Sequence, residues 1–133
     1  MTISANVGRQ EVISASVDVD LIEATLVTGV AQNAIQLPPN AYIVGGQVDT
    51  VLAFDSVTSD DVDVVVGTET LLAAGDVSVL GASVALTTGQ GIKTNAPTWV
   101  TVEWNGVGGS QTEGTARLTV QYVVDGRACF SEG

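Results

Sequence analysis

The stretch Thr115–Val124, TARLTVQYVV, runs into Asp125–Phe130, DGRACF, and its reading decides the class of fold. Ala116, Leu118, Val120, Tyr122 and Val124 fall on one side of an extended chain; Arg117, Thr119, Gln121 and Val123 fall on the other. Successive side chains of a strand point to opposite faces, so this period of two marks a half-buried strand. Asp125-Gly126 reads either as a tight hairpin turn or as a bulge through which the strand runs on.

The same alternation recurs along the chain. In Glu11–Val19 (EVISASVDV), Ile13, Ala15, Val17 and Val19 share a face opposite Ser14, Ser16 and Asp18. Leu21–Val30 reads as a second strand or short strand pair. Pro38 and Pro39 then break regular structure by removing two backbone donors. Ala41–Phe54 resumes extended structure, with Val48, Thr50, Leu52 and Phe54 on one face and a bulge or bend expected at Gly45-Gly46. Asp55–Asp61 reads as a polar loop and Val62–Val66 as a strand. Thr68–Gly75 reads as one helical turn capped by Thr68. Val77–Leu86 and Thr98–Trp104 are further strands, and Asn105–Gly114 is a glycine-rich connection. Seven to nine short strands with no long helix predict an all-β, antiparallel sandwich, jelly-roll-like, as one domain over 1–133. Residues 1–10 and 125–133 are candidate terminal arms.

Composition narrows the function. Fifteen acidic residues against four basic ones leave a formal net charge of −11. Such a surface repels phosphate backbones and anionic lipid, so neither nucleic acid nor membrane is an expected partner. A mean hydropathy of +0.36 and 45% hydrophobic residues separate the chain from acidic disordered sequences. The N-terminal MTISANVGRQ lacks the basic and apolar regions of a signal peptide, and a lone cysteine, Cys129, forbids an intrachain disulfide. Both point to a soluble protein made in a reducing compartment.

Chemistry has little to work with. Histidine is absent, which removes the commonest general base and metal ligand and every Ser-His-Asp or Cys-His arrangement. Cys129 reads as a small packed hydrophobe. Asp55, Asp60, Asp61 and Asp63 raise the question of a calcium loop, but their spacing does not fit the EF-hand pattern; a solvated loop entering a strand accounts for them. Asp18, Asp20 and Glu23 raise the question of a glycosidase carboxylate pair, but aromatics are only 5% of the chain, too few for a sugar cleft, and the wet face of a strand explains them. The glycines of Gly106–Gly109 (GVGG) lack the lysine and helix of a phosphate loop. No enzyme activity and no cofactor are expected.

Candidate interaction residues remain. Trp104 joins Val100 and Val102 on the expected core face, whereas Trp99 falls on the opposite one, as an interface anchor or beneath a covering loop. Tyr42 and Phe130 are further aromatic candidates. Arg117 and Arg127, two of the four basic residues, flank one strand. A guanidinium grips a carboxylate in bidentate fashion, within a subunit or across an interface, and Arg127 is expected to fasten the C-terminal segment to such a surface.

Ala116–Gly133, ARLTVQYVVDGRACFSEG, resembles the C-terminus of small virion proteins encoded beside the major capsid protein of tailed bacteriophages. Those proteins end in an alternating strand, a Val-Asp-Gly-Arg-Ala-like turn, an aromatic and a final glycine. Leu37–Gly67, LPPNAYIVGGQVDTVLAFDSVTSDDVDVVVG, is similar to them as well, and LLAAGDVSVLGASVALTTG matches in layout. The resemblance implies a capsid cement or decoration protein: a β-sandwich or jelly-roll subunit, made in the host cytoplasm, that oligomerises and sits on the capsid exterior against the major capsid protein. It implies no enzyme and no cofactor. Shell symmetry favours a homotrimer, with a dimer as the alternative. A tail-fibre or receptor-binding β domain is the competing function.

Overall fold

A computed structural model describes residues 11–87, 91–109 and 111–124. The candidate arms 1–10 and 125–133, with Arg127, Cys129 and Phe130, lie outside the described residues. Eight strands form among them: β1 (Ile13–Asp20), β2 (Ala31–Leu37), β3 (Ala41–Leu52), β4 (Ser59–Val66), β5 (Glu69–Asp76), β6 (Ser83–Ala85), β7 (Thr98–Val107) and β8 (Thr115–Val124). They build two four-stranded sheets, ordered β1-β8-β3-β6 and β2-β7-β4-β5, with antiparallel neighbours throughout. Only β4 and β5 follow each other within one sheet. Every other connection crosses the sandwich, the path of an eight-stranded jelly roll built from two Greek keys.

The alternation read from the sequence places the core. Leu37, Ile43, Val64, Val100, Leu118 and Val120 are fully buried between the sheets. β8 is one of the two inner strands of the first sheet, paired with β1 along one side and β3 along the other, and its inward Ala116, Leu118 and Val120 are buried. Burial of this apolar surface, at about 25 cal/mol per Å², is the main favourable term holding the layers together.

Several local expectations are corrected. Leu21–Val30 is a compact turn: the Asp20 carboxylate accepts hydrogen bonds from the Ile22 and Glu23 amides, and the Asp20 carbonyl accepts one from the Ala24 amide, curling the chain before β2 begins at Ala31. Thr68–Gly75 is not helical. Gly67, at φ +60°, and Thr68 form a two-residue hairpin loop with glycine first, and Glu69 pairs back onto Val66. Val77–Leu86 is mostly irregular, with strand only at Ser83–Ala85. The polar loop ends early, because β4 already starts at Ser59. Leu52 faces out, since a register shift between Thr50 and Leu52 breaks the alternation there.

The bulge expected at Gly45-Gly46 is present as a register shift between Ile43 and Gly45. Gly46 adopts φ +150°, and a Cβ on it would overlap the Thr119 carbonyl oxygen and stand 2.6 Å from Leu86 Cδ1. Gly46→Ala is therefore expected to destabilise the fold by about 2 kcal/mol or more. The check is a lower urea midpoint at unchanged m-value; an unchanged midpoint would contradict this account of the bulge.

Candidate functional site

Strand parity distributes the acidic residues into different environments. In β4, Asp60 lies on the inward face with Val62, Val64 and Val66, while Asp61 and Asp63 lie on the outward face with Val65. Asp60 is 2% exposed. Its carboxylate accepts hydrogen bonds from the Ser56 amide (2.9 Å), Ser56 Oγ (2.6 Å) and Trp104 Nε1 (3.0 Å). All three donors are neutral. The Asp60 carbonyl also accepts from the Val77 amide, so one residue ties the β3–β4 loop, β7 and the chain after β5. Asp55, a few residues earlier, accepts from the Thr112 amide, Thr112 Oγ1 and the Glu113 amide. Asp61 and Asp63 share Asn105 Nδ2, and Asp63 also holds the Ala74 amide. The cluster is thus more than a solvated loop: each carboxylate accepts from backbone or side-chain donors of the chain itself, Asp61 and Asp63 from the same Asn105 amide. No group of three or more metal-ligating side chains assembles among the described residues.

Arg117 behaves as a bidentate clamp within the subunit. Its Nε donates to Asp18 Oδ1 at 2.8 Å and Nη2 to Asp18 Oδ2 at 3.3 Å, linking β8 to β1. Asp49 of β3 stands opposite Arg117 on its other side. The outer face of the first sheet therefore carries one row of mixed charge, Asp18–Arg117–Asp49, in which the single guanidinium lies between two carboxylates, among the uncharged Ser14, Ser16, Gln47 and Thr119. Both members of the pair are half exposed, so its contribution to stability is small.

The outer face of the second sheet is different. Glu103 of β7 is registered directly against Asp63 of β4, and Asn105 against Asp61. Like charges opposite each other cost stability, and the bridging Asn105 amide offsets part of that. Trp99 lies on this face at 42% exposure, open to solvent and not beneath a loop. Tyr42, at 41% exposure, lies on the outer face of the first sheet and forms an isolated antiparallel bridge with Lys93. The two aromatic candidates are thus on opposite faces. The other two interface candidates, Arg127 and Phe130, fall outside the described residues.

The ends of the sandwich also differ. The connections 21–30, 53–58 and 77–82 and the described residues of 108–114 gather at one end, because β1, β3, β5 and β7 all finish there. They carry the exposed Ile22, Val27, Val30, Val57, Val79 and Leu80. Ile22 and Val27 border an open cleft of about 400 Å³ that reaches Leu26 and Trp104. The described residues of the opposite connections, 38–40, 67–68 and 86–97, bear no exposed large aliphatic or aromatic side chain; toward that end the exposed apolar residues are Val12, ahead of β1, and Tyr42 and Trp99, near the starts of β3 and β7. Nothing in the sequence alone shows this asymmetry, which depends on which loops the topology brings together.

No family model matches the sequence, and no curated protein matches it. Solved structures do share its fold. A chain in the capsid asymmetric unit of cyanophage Pam1 superimposes with a TM-score of 0.67 at 17% sequence identity, covering 93% of this chain and 92% of that one. A chain in the acidic stable capsid structure of Helicobacter pylori bacteriophage KHP30 superimposes with a TM-score of 0.59 at 13% identity, covering 86% of this chain and 93% of that one. At these identities the likeness is one of fold, and it runs nearly end to end.

The site geometry carries two expectations. Asp60→Ala strands the Trp104 and Ser56 donors in a buried setting and is expected to cost about 3 kcal/mol, read as a fall in thermal midpoint of several degrees. An unchanged midpoint would show that Asp60 does not organise this end. Acid stability is the second. Asp18 is held below the usual carboxylate range by the Arg117 hydrogen bonds, Asp20 by the Thr115 hydroxyl and the Glu23 and Ile22 amides, Asp55 by Thr112, and Asp76 by Ser78. Folded-state values below the unfolded one mean that the folded chain binds these protons more weakly. The stabilisation is complete above the unfolded aspartate value of about 3.9 and is lost as pH falls below it through the folded values. The urea midpoint should therefore drop once the pH passes below about 4. A midpoint still rising at that pH would overturn the assignment.

Proposed function

We propose that the chain is a decoration protein that binds the outer surface of a bacteriophage shell as a homotrimer and cements it. The observation that carries this reading is the jelly roll shared, over more than nine-tenths of both chains, with a chain of a cyanophage capsid structure. The second capsid likeness points the same way. The absence of histidine fits a structural, non-enzymatic role. A cement protein binds assembled subunits more tightly than separated ones, so ordinary linkage raises shell stability, and symmetric repetition lets each contact be weak.

The two faces support a ring over an isologous pair. A two-fold contact between second-sheet faces would bring Asp61, Asp63 and Glu103 against their own copies. A heterologous contact instead sets the acidic, Trp99-bearing face against the Tyr42-bearing face of the next subunit, which carries Arg117, and three such contacts close a ring. The edge strands β1 and β2 lie along one side of the sandwich, with an opening of about 150 Å³ between them lined by Val17, Val19, Ala34 and Val102. Terminal segments 1–10 and 125–133 of a neighbouring subunit are the proposed cover for those edges, with Arg127 and Phe130 as anchors. The receptor-binding alternative calls for a groove lined with exposed aromatics, and Tyr42 and Trp99 stand on opposite faces.

The test is direct. Light scattering should give a mass about three times the 13.5 kDa chain. The trimer should also co-sediment with undecorated shells of the phage that encodes it and raise their melting temperature. A monomer at all concentrations would remove the ring, and failure to bind shells would remove the cementing role.

A further inference from the structure

We infer that the end of the sandwich bearing connections 21–30, 53–58, 77–82 and 108–114 is the shell-facing end, and that it docks on an apolar protein surface ringed by arginine or lysine. This rests on the proposed decoration role and specifies its contact. Ile22, Val57 and Leu80 are 67%, 71% and 66% exposed at that end. They are spread across that end, from the β1–β2 connection at one side of the sandwich to the β5–β6 connection at the other, and an end with this much exposed aliphatic surface is a candidate contact.

Charge identifies the occupant. None of the four connections contains a lysine or arginine, whereas Glu23, Asp55 and Glu113 lie within them and Asp20 and Asp76 at their borders. Lys93 lies in a connection at the opposite end, and Arg9 and Arg127 are, in sequence, four residues before β1 and three after β8, whose outer termini open there. Arg117 is engaged by Asp18. Two copies meeting through this end would oppose carboxylates to carboxylates, and an anionic membrane would be repelled as well. A cationic, apolar protein surface satisfies both features, steering encounter by charge and holding by burial.

The surface is also built in advance. The Asp20 carboxylate holds the turn beneath Ile22, Asp55 holds the β7–β8 connection through Thr112 and Glu113, and Asp76 accepts from the Ser78 amide and hydroxyl before Leu80. Loops fixed before contact lose less conformational freedom on binding. The cleft beside Ile22 and Val27 gives a partner side chain a place to anchor.

The experiment measures binding to undecorated shells of the encoding phage by co-sedimentation. It uses the wild-type chain, the double variant Ile22→Ser/Leu80→Ser and the opposite-end variant Trp99→Ser, with the mass of each followed by light scattering. Both aliphatic positions are exposed in the free chain, so the double variant keeps its fold and mass. Its half-saturating concentration is expected to rise about 100-fold, while wild-type binding weakens as salt is raised. A double variant that binds like wild type, or a loss confined to Trp99→Ser at unchanged mass, overturns the docking end and leaves the decoration role intact. Wild-type chains that fail to bind shells overturn both. Growth of wild-type chains into long polymers, abolished by the double variant, assigns this end to a second copy and overturns the proposal.

Discussion

A carboxylate buried among neutral donors sets the geometry of one end of this jelly roll. Asp60 enters the sandwich because β4 carries it on the same face as three core valines, and desolvation makes its hydrogen bonds obligatory. The side chain draws the Ser56 amide and hydroxyl inward and fixes the Trp104 indole from across the pair β4–β7. Once Trp104 is fixed, Phe54 packs against it at 6.0 Å between ring centroids. Gly114 passes so close to the Phe54 ring that no side chain fits there, which brings the β7–β8 connection over the core and lets its carbonyl receive the Leu21 amide. Four connections are thereby coupled through one acidic group.

Most of the architecture was legible in the alternation of apolar and polar residues. β1, β8 and the inward side of β7 follow it without interruption. It fails where a hydrogen bond or glycine overrides the local pattern. Leu21–Val30 is rich in strand-forming residues, yet Asp20 captures its first amides and turns it. Thr68 looks like a helix cap, but Gly67 ahead of it accepts the backbone of a hairpin. The buried role of Asp60 could have been found: it is two positions before Val62, on the core parity of a strand already read from Val62 onward. Its hydrogen-bond partner Trp104 could not, because their proximity is created by the register of β4 on β7.

The charged residues show the same limit. The bidentate grip of Arg117 follows from its chemistry, but the choice of Asp18 follows from a cross-strand register. Acidity summed over the chain says which partners are repelled; its division between a face that carries Arg117, an acidic face and an end whose four connections contain no lysine or arginine says how contacts can be oriented. That division is a property of the two Greek keys, which send alternate connections to opposite ends. It turns a uniformly acidic composition into a molecule with distinguishable sides.

The scarcity of cations has a further consequence for resistance to proteolysis. A trypsin-type protease, which cuts after lysine or arginine, has four positions to use in 133 residues: Arg9, Lys93, Arg117 and Arg127. Arg117 lies within β8, hydrogen-bonded to a strand on each side. A strand held on both edges cannot enter a protease cleft until the sheet separates, so cutting there counts openings of the sandwich and not encounters with the enzyme. Proteolytic lifetime at that bond is therefore a readout of how seldom the first sheet comes apart.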